Sequence, residues 1–195
     1  MLTLEEWQAH NEWERNWWHN CANTFEEQLK QETYVKYLKL NQFALPGHWF
    51  DLKGKSVFDV GGGPISLLLR CKNFSEAVVV DPCPFPEWVA DRYECAGITY
   101  LPVCAEDYIP IIRFDEAWIY NCLQHVMNPE KIIDMVIHNA RKVRIFEYIE
   151  VGECPGHPHN LTEEMLDDLF QRQGLTDRLD GLAHGKIYFG VFNYG

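Results

Sequence analysis

Ser56-Val57-Phe58-Asp59-Val60-Gly61-Gly62-Gly63-Pro64-Ile65 is the stretch that decides the fold. Val57 and Phe58 read as a short buried strand, followed by a glycine turn. Pro64 suits the first position of a following helix, where a missing N–H costs nothing. Glycines let backbone approach a ligand where a Cβ would clash. A helix N-terminus beside such a turn favours an anionic ligand group. A plain strand-to-helix connection with no ligand has the same local sequence. Further along, 18 residues after Gly63, the apolar run Val78-Val79-Val80 ends in Asp81. A second parallel strand ending in an acid places a carboxylate beside the ribose hydroxyls of a nucleoside ligand. Alternatively, Asp81 is a turn residue before Pro82.

Around this centre the pattern alternates. Strands are expected at 56–60, 77–81, 98–103, 115–120, 143–149 and 186–193, and helices at 64–71, 86–95, 129–140 and 163–172. Asn128-Pro129-Glu130 and Thr162-Glu163-Glu164 mark helix starts by cap, proline and acid. Gly174 sits where a helix C-terminal glycine belongs. Such alternation predicts a parallel, doubly wound α/β sheet. Upstream, Thr3-x-x-Glu6 and Thr24-x-x-Glu27 are capping-box patterns opening helices over 4–19 and 25–40. Residues 41–54, with Pro46, Gly47 and Gly54, read as a connector. The chain thus divides into an N-terminal helical cap and connector, 1–54, and a ligand-binding unit, 55–195. Four of the seven tryptophans lie in the first eighteen residues. Leu4, Trp7, Trp13, Trp17, Trp18 and Cys21 cover about half of the first helix. So wide a stripe is expected either to pack on the core or to cap a cleft, with Trp17 and Trp18 lining it.

At 195 residues one compact unit is the default. The net charge of −12 and pI near 5.0 disfavour binding to nucleic acid, which needs clustered Lys and Arg. No apolar run is long enough for a membrane span, and no secretory signal is visible. Seven cysteines without a Cys-x-x-Cys pair suggest free thiols in a reducing cytoplasm. Nothing in the sequence indicates an oligomeric state.

The spacing Asp59-x-Gly61-x-Gly63 resembles motif I of the class I S-adenosylmethionine (SAM) methyltransferases. Three later segments extend the resemblance in order: Val103-Cys104-Ala105-Glu106-Asp107, Phe114 to Asn121, and Cys122-Leu123-Gln124-His125-Val126-Met127-Asn128-Pro129. The last is close to the L-x-H-V-x-(D/N)-P signature of small-molecule-type members. The resemblance covers roughly residues 55–193. Ile65 stands where many members have a third glycine, and Cys104 where many have an aspartate. It implies a Rossmann-like sheet of seven strands in the order 3-2-1-4-5-7-6 with the last strand antiparallel, including a short strand within 175–185. SAM is the implied cofactor, held by Asp59, Gly61, Gly62, Gly63, Asp81, Pro82, Glu106, Asp107, Tyr120 and Asn121.

On the acceptor side, His125 follows the fourth strand and is the leading base candidate, since imidazole titrates near neutrality. A purely structural histidine is the alternative. Gly156-His157-Pro158-His159 follows the fifth strand, whose end carries Glu147 and Tyr148. His157 and His159 are further base candidates, and Glu147 and Tyr148 candidate acceptor contacts. The histidines and Glu147 could instead bind a divalent metal, or the loop could simply cap a helix. Tyr120-Asn121-Cys122-Leu123 is unlike the Asn-Pro-Pro-Tyr motif of amino-directed DNA and protein methyltransferases. The expected activity is methyl transfer to oxygen or nitrogen of a small molecule, with a sugar or nucleotide-linked metabolite among the candidates. A nicotinamide-dependent oxidoreductase rests on the partial match Gly61-x-Gly63-x-x-Ser66. A non-catalytic binding module is the third reading, against which the intact turn and Asp81 argue.

Overall fold

The computed structural model describes residues 2–21, 23–40, 50–152, 154–179 and 185–195. Seven strands form one sheet: β1 Ser56–Val60, β2 Glu76–Val80, β3 Thr99–Leu101, β4 Phe114–Tyr120, β5 Ala140–Tyr148, β6 Leu175–Arg178 and β7 Lys186–Asn193. Their order is 3-2-1-4-5-7-6. The first five are mutually parallel, and β7 runs antiparallel to β5 and β6. The expected order and the reversed last strand are both present. The helices are α1 Leu4–Trp18, α2 Thr24–Tyr37, α3 Glu87–Cys95, α4 Pro129–Asn139 and α5 Glu163–Phe170. Most of the connector expected over 41–54, including Pro46 and Gly47, lies outside the described residues, as do 180–184 of the segment before β7.

Successive strand residues face opposite sides of the sheet, and both sides are buried. Phe58, Val60, Val78, Val80, Ala117 and Ile119 face α4 and α5, against Ile132, Ile133, Val136, Leu166 and Phe170. Val57, Val79, Trp118 and Phe146 face α2 and α3, against Tyr34, Val35, Leu38, Val89 and Tyr93. The second N-terminal helix therefore belongs to the same core as the central strands. This alternation also decides the fate of Asp59. It points to the α2/α3 side, beneath the turn that follows its own strand.

Three local expectations are corrected. The helix expected over 64–71 is two short 3₁₀ turns, Gly63–Ile65 and Leu67–Arg70. Ser66 between them is extended, with φ −48° and ψ 147°. Its hydroxyl is drawn to Asp59 and also accepts from the Leu68 N–H, a local bond that competes with helix. The Thr3 capping box forms as expected, but α2 is capped by Asn23, with Thr24 already helical and no side-chain cap bond. The left-handed residue ending α5 is Gln171, not Gly174. Gly174 instead lies against the Tyr188 ring, where a Cβ would collide.

One buried ion pair ties the cap to the sheet. Glu116 on β4 accepts from Arg144 Nε at 2.6 Å, and Arg144 Nη1 donates to the Leu38 carbonyl at 2.7 Å, just past α2. Burial opposes the Glu116 charge, but Arg144 and Lys55 hold its pKa down at about 2. Breaking one side of a buried pair is costly because the other charge stays desolvated. Arg144→Met is expected to destabilise the fold by on the order of 3 kcal/mol. Urea denaturation showing an unchanged midpoint would refute this role.

Candidate functional site

The carboxyl ends of β1, β2 and β4 meet where the strand order reverses, the usual ligand position of open α/β sheets. A cavity of about 460 Å³ opens there, within the range of small-molecule sites. Its floor is Val60, Gly61, Gly63, Asp81, Pro82 and Cys83. One wall is Ala105, Glu106, Asn121 and Cys122, and the roof is α1 with Trp7, Asn11, Glu14 and Trp18. A smaller cavity of about 60 Å³ continues over the glycine turn between α2 and residues 61–65.

The turn is locked from below. Asp59 is fully buried, and its Oδ2 accepts from the Tyr120 hydroxyl at 2.7 Å and from the Ser66 hydroxyl. Tyr120 in turn accepts from the Leu67 N–H. Tyr93 donates to the Gly63 carbonyl at 2.6 Å and accepts from the Ser66 N–H at 2.9 Å. From α2, Gln31 donates to the Ile65 carbonyl at 2.6 Å. Gly61 has φ +66°, and a Cβ there would run into the Cys122 thiol. Its lack of a side chain thus keeps the β1 turn against the β4 loop.

Asp81 is presented to the cavity at the end of β2. Oδ2 accepts from the Gly63 N–H at 3.0 Å and Oδ1 from the Cys83 N–H at 2.9 Å. Each oxygen keeps acceptor capacity for a ligand hydroxyl. Glu106 accepts from the Met127 and Asn128 N–H groups at the start of α4. Asn121 borders the cavity in a left-handed conformation, φ +51°.

His125 joins three elements. Its Nδ1 lies 2.7 Å from the Gly156 carbonyl and 3.1 Å from Glu14 Oε1, and its Nε2 lies 3.2 Å from the Gln124 amide nitrogen. Trp7 of α1 donates to the His125 carbonyl at 3.2 Å. Burial works against charging the ring, yet Glu14 and the Gly156 carbonyl hold its pKa above the ordinary histidine value. His157 packs edge-on to His125 and also against Trp13, on the cavity wall. Trp13 and Trp17 stack at 5.6 Å and remain 38% and 43% exposed. The wide tryptophan stripe is therefore only partly buried, and its outer rings border the cavity.

The structure brings Gly61, Gly63, Asp81, Pro82, Glu106, Asn121, His125, His157, Tyr148, Trp17 and Trp18 to the main cavity. Gly62 and Tyr120 border the smaller one. It leaves the others elsewhere. Asp59 lies under the turn, and the Asp107 side chain is 74% exposed beside Lys131. Glu147 is fully buried beneath the loop after β4, accepting from the Cys122 and Leu123 N–H groups. His159 Nε2 contacts the Val126 carbonyl at 2.8 Å, joining two loops. Among the described residues no group of three His, Cys, Asp or Glu side chains is arranged to hold a metal. The anion site expected at a helix N-terminus after the turn is absent, since no α-helix begins there. Sequence reasoning missed Asn11, Glu14, Glu27, Lys30 and Gln124. Trp7, Asn11, Glu14 and Trp18 share one helical face by spacing, a signal obscured by the broader tryptophan pattern.

No protein-family model matches the chain, and no curated protein sequence does. Solved structures do. A SAM-dependent methyltransferase from Thermotoga maritima is 14% identical, with TM-score 0.61, covering 94% of this chain and 99% of its own. The N-methyltransferase NodS from Bradyrhizobium japonicum, in complex with S-adenosyl-L-homocysteine, is 11% identical, with TM-score 0.63 and coverage of 95% and 97%. Mitomycin 7-O-methyltransferase MmcR is 13% identical, with TM-score 0.56, covering 85% of this chain and 54% of that one. The chain has the class I SAM-dependent methyltransferase fold.

Within that fold, three buried carboxyls face low-dielectric surroundings. Burial raises Asp59 and Glu147 to about 7 and Asp81 to about 6. A carboxyl with a raised folded pKa stabilises the fold fully below its unfolded pKa and loses that contribution as pH rises through the folded value. The raised His125 acts in the same direction. The ligand-free protein is expected to melt higher near pH 5.5 than near pH 8, and Asp59→Asn to flatten that decline. A melting temperature that rises across this window would contradict the assignment.

Proposed function

We propose that this protein is a SAM-dependent methyltransferase acting on nitrogen or oxygen of a small molecule. The observation that carries the reading is the Asp81 carboxylate beside the locked Gly61–Gly63 turn, at the floor of a cavity on the switch point of the sheet. The residues fit the cofactor. Gly63 borders the cavity without a side chain, Asp81 can accept from ribose hydroxyls, and Ala105 and Glu106 border the adjoining space. When bound, SAM supplies an activated methyl group on a sulfonium. The chain's contribution is alignment and exclusion of water. The rings of Trp7, Trp13, Trp17 and Trp18 can face cationic groups.

Acceptor contacts fall to α1, the end of β5 and the loops after β4 and β5: Glu14, Trp13, Trp17, Tyr148, His125 and His157. Gly156 and Glu14 fix the Nδ1 side of His125, and its Nε2 meets the Gln124 amide, so a proton can be taken there only if that amide turns. His159 and Glu147 serve as loop supports. The charged groups around the cavity are mainly carboxylates, which disfavours a nucleotide-linked acceptor and leaves neutral or cationic small molecules. The dinucleotide reading loses its main support with the missing helix, because a pyrophosphate would lack that N-terminus. The cysteines, free among the described residues, fit a reducing compartment such as the cytoplasm.

Calorimetry is expected to show S-adenosylhomocysteine binding and no NADH binding. Asp81→Ala should weaken the former by about 10- to 100-fold, the range for hydrogen bonds to charged groups. Parent-like affinity in Asp81→Ala would sink the ribose assignment. With an acceptor found by screening, His125→Ala or His157→Ala should lower kcat by about 10²–10⁴-fold, as for lost general-base catalysis. His159→Ala should lower melting temperature instead. Undiminished turnover in the His125/His157 double variant would exclude a histidine base.

A further inference from the structure

We infer that the acceptor is an amine that enters the cavity as its ammonium ion, with Glu14 meeting its charge and the Gln124 side-chain oxygen taking one of its N–H groups. This rests on the methyltransferase reading above and names the acceptor class for it.

Three observations converge. First, Gln124 lines the cavity and is 3% exposed. Its amide nitrogen is engaged, donating to Asn121 Oδ1 at 3.0 Å and meeting His125 Nε2 at 3.2 Å. Its Oε1 is buried with no hydrogen-bond partner among the described residues. Buried acceptor oxygens are rarely left unpaired, so this atom marks the place of a ligand donor. Second, Glu14 brings a negative charge that the protein matches poorly. Asp81 and Glu106 each accept two backbone N–H groups. Lys30, the one lysine or arginine among the described cavity-lining residues, is paired with Glu27. Glu14 meets His125 Nδ1, and that nitrogen also faces the Gly156 carbonyl. One ring proton thus serves two oxygens, and the carboxylate keeps acceptor capacity for a cation. An alcohol would satisfy Gln124 but not this charge. An ammonium group satisfies both. Third, the rings near Glu14 on α1 suit a cation. Trp13 and Trp17 stack with their planes 10° apart, and both line the cavity together with Trp7. Indole faces attract ammonium groups, and the apolar body of an amine can lie against the stack.

An ammonium nitrogen becomes a nucleophile only after it gives up one N–H proton, the bond pair staying on nitrogen. The Glu14–His125 pair is in place to take that proton. The cap helix α1 thereby selects the acceptor rather than only covering it.

The test is calorimetry on protein saturated with S-adenosylhomocysteine, which carries no sulfonium charge, at neutral pH, where alkylamines are protonated. Three probes share one body: phenethylamine, its N,N,N-trimethylammonium analogue and phenethyl alcohol. The parent should bind phenethylamine at least about 10-fold more tightly than the alcohol, as for hydrogen bonds to charged groups. Glu14→Gln should remove that preference. Gln124→Met should weaken phenethylamine by about 10-fold and leave the trimethylated analogue, which has the charge but no N–H, unchanged. Retained S-adenosylhomocysteine affinity reports that a variant is folded, and where one variant loses it the other decides. A parent that binds S-adenosylhomocysteine but prefers no amine over the alcohol, or binds no probe, would overturn the amine assignment and leave the cofactor reading standing. So would a preserved preference in Glu14→Gln, equal weakening of the two cations in Gln124→Met, or loss of S-adenosylhomocysteine binding in both variants. A parent that does not bind S-adenosylhomocysteine would overturn both readings.

Discussion

The structure depends on one buried carboxyl. Asp59 lies buried under the glycine turn, away from the cavity, and gathers the hydroxyls of Ser66 and Tyr120. A buried polar group must be satisfied or it costs stability, so these hydroxyls are drawn to it. Ser66 is thereby extended and the following helix is broken into 3₁₀ turns. Tyr120 is fixed at the end of β4, where the cavity wall begins. Tyr93 repeats the device from α3, with one hydroxyl bridging the Gly63 carbonyl and the Ser66 N–H. The turn keeps its shape because four elements converge on it, and the floor of the cavity is rigid for that reason.

The cap follows from the same packing. Tyr34 and Tyr37 of α2 pack against Phe146 of β5, and Arg144 reaches from β5 to the end of α2. Helix α1 is held by fewer and more polar contacts: Trp7 to the His125 carbonyl, Glu14 to the His125 ring, and the Trp13 ring above Gly156. Elements secured by few apolar contacts open at lower free energy than core elements. Helix α1, the roof of the cavity, is thus the less firmly held of the two N-terminal helices, and α2, the wall beside the glycine turn, the firmer.

Much of this was legible in the sequence, for physical reasons. The alternation of apolar strands with capped helices specifies a parallel sheet, because no other layer arrangement buries both faces of such strands. Glycines at 61–63 and an acid at 81 mark the ends of adjacent parallel strands, which the register Val60 to Val80 sets side by side. Asn128-Pro129 and Thr162 act through local cap chemistry that needs no tertiary context.

What the tertiary structure alone decided was which polar residues face the cavity. Asp59, Glu106, Asp107 and Glu147 are all acids near strand ends. Pleat parity sends Asp59 under the turn, loop geometry gives Glu147 to two backbone amides, a 3₁₀ turn leaves Asp107 in solvent, and Glu106 reaches the cavity edge. Glu14, Glu27 and Lys30 carry no motif, and only the docking of the cap on the turn brings them to the site. Local sequence determines strands, caps and turns through short-range sterics and hydrogen bonds. The direction a charged side chain finally points is set by distant segments that close over it.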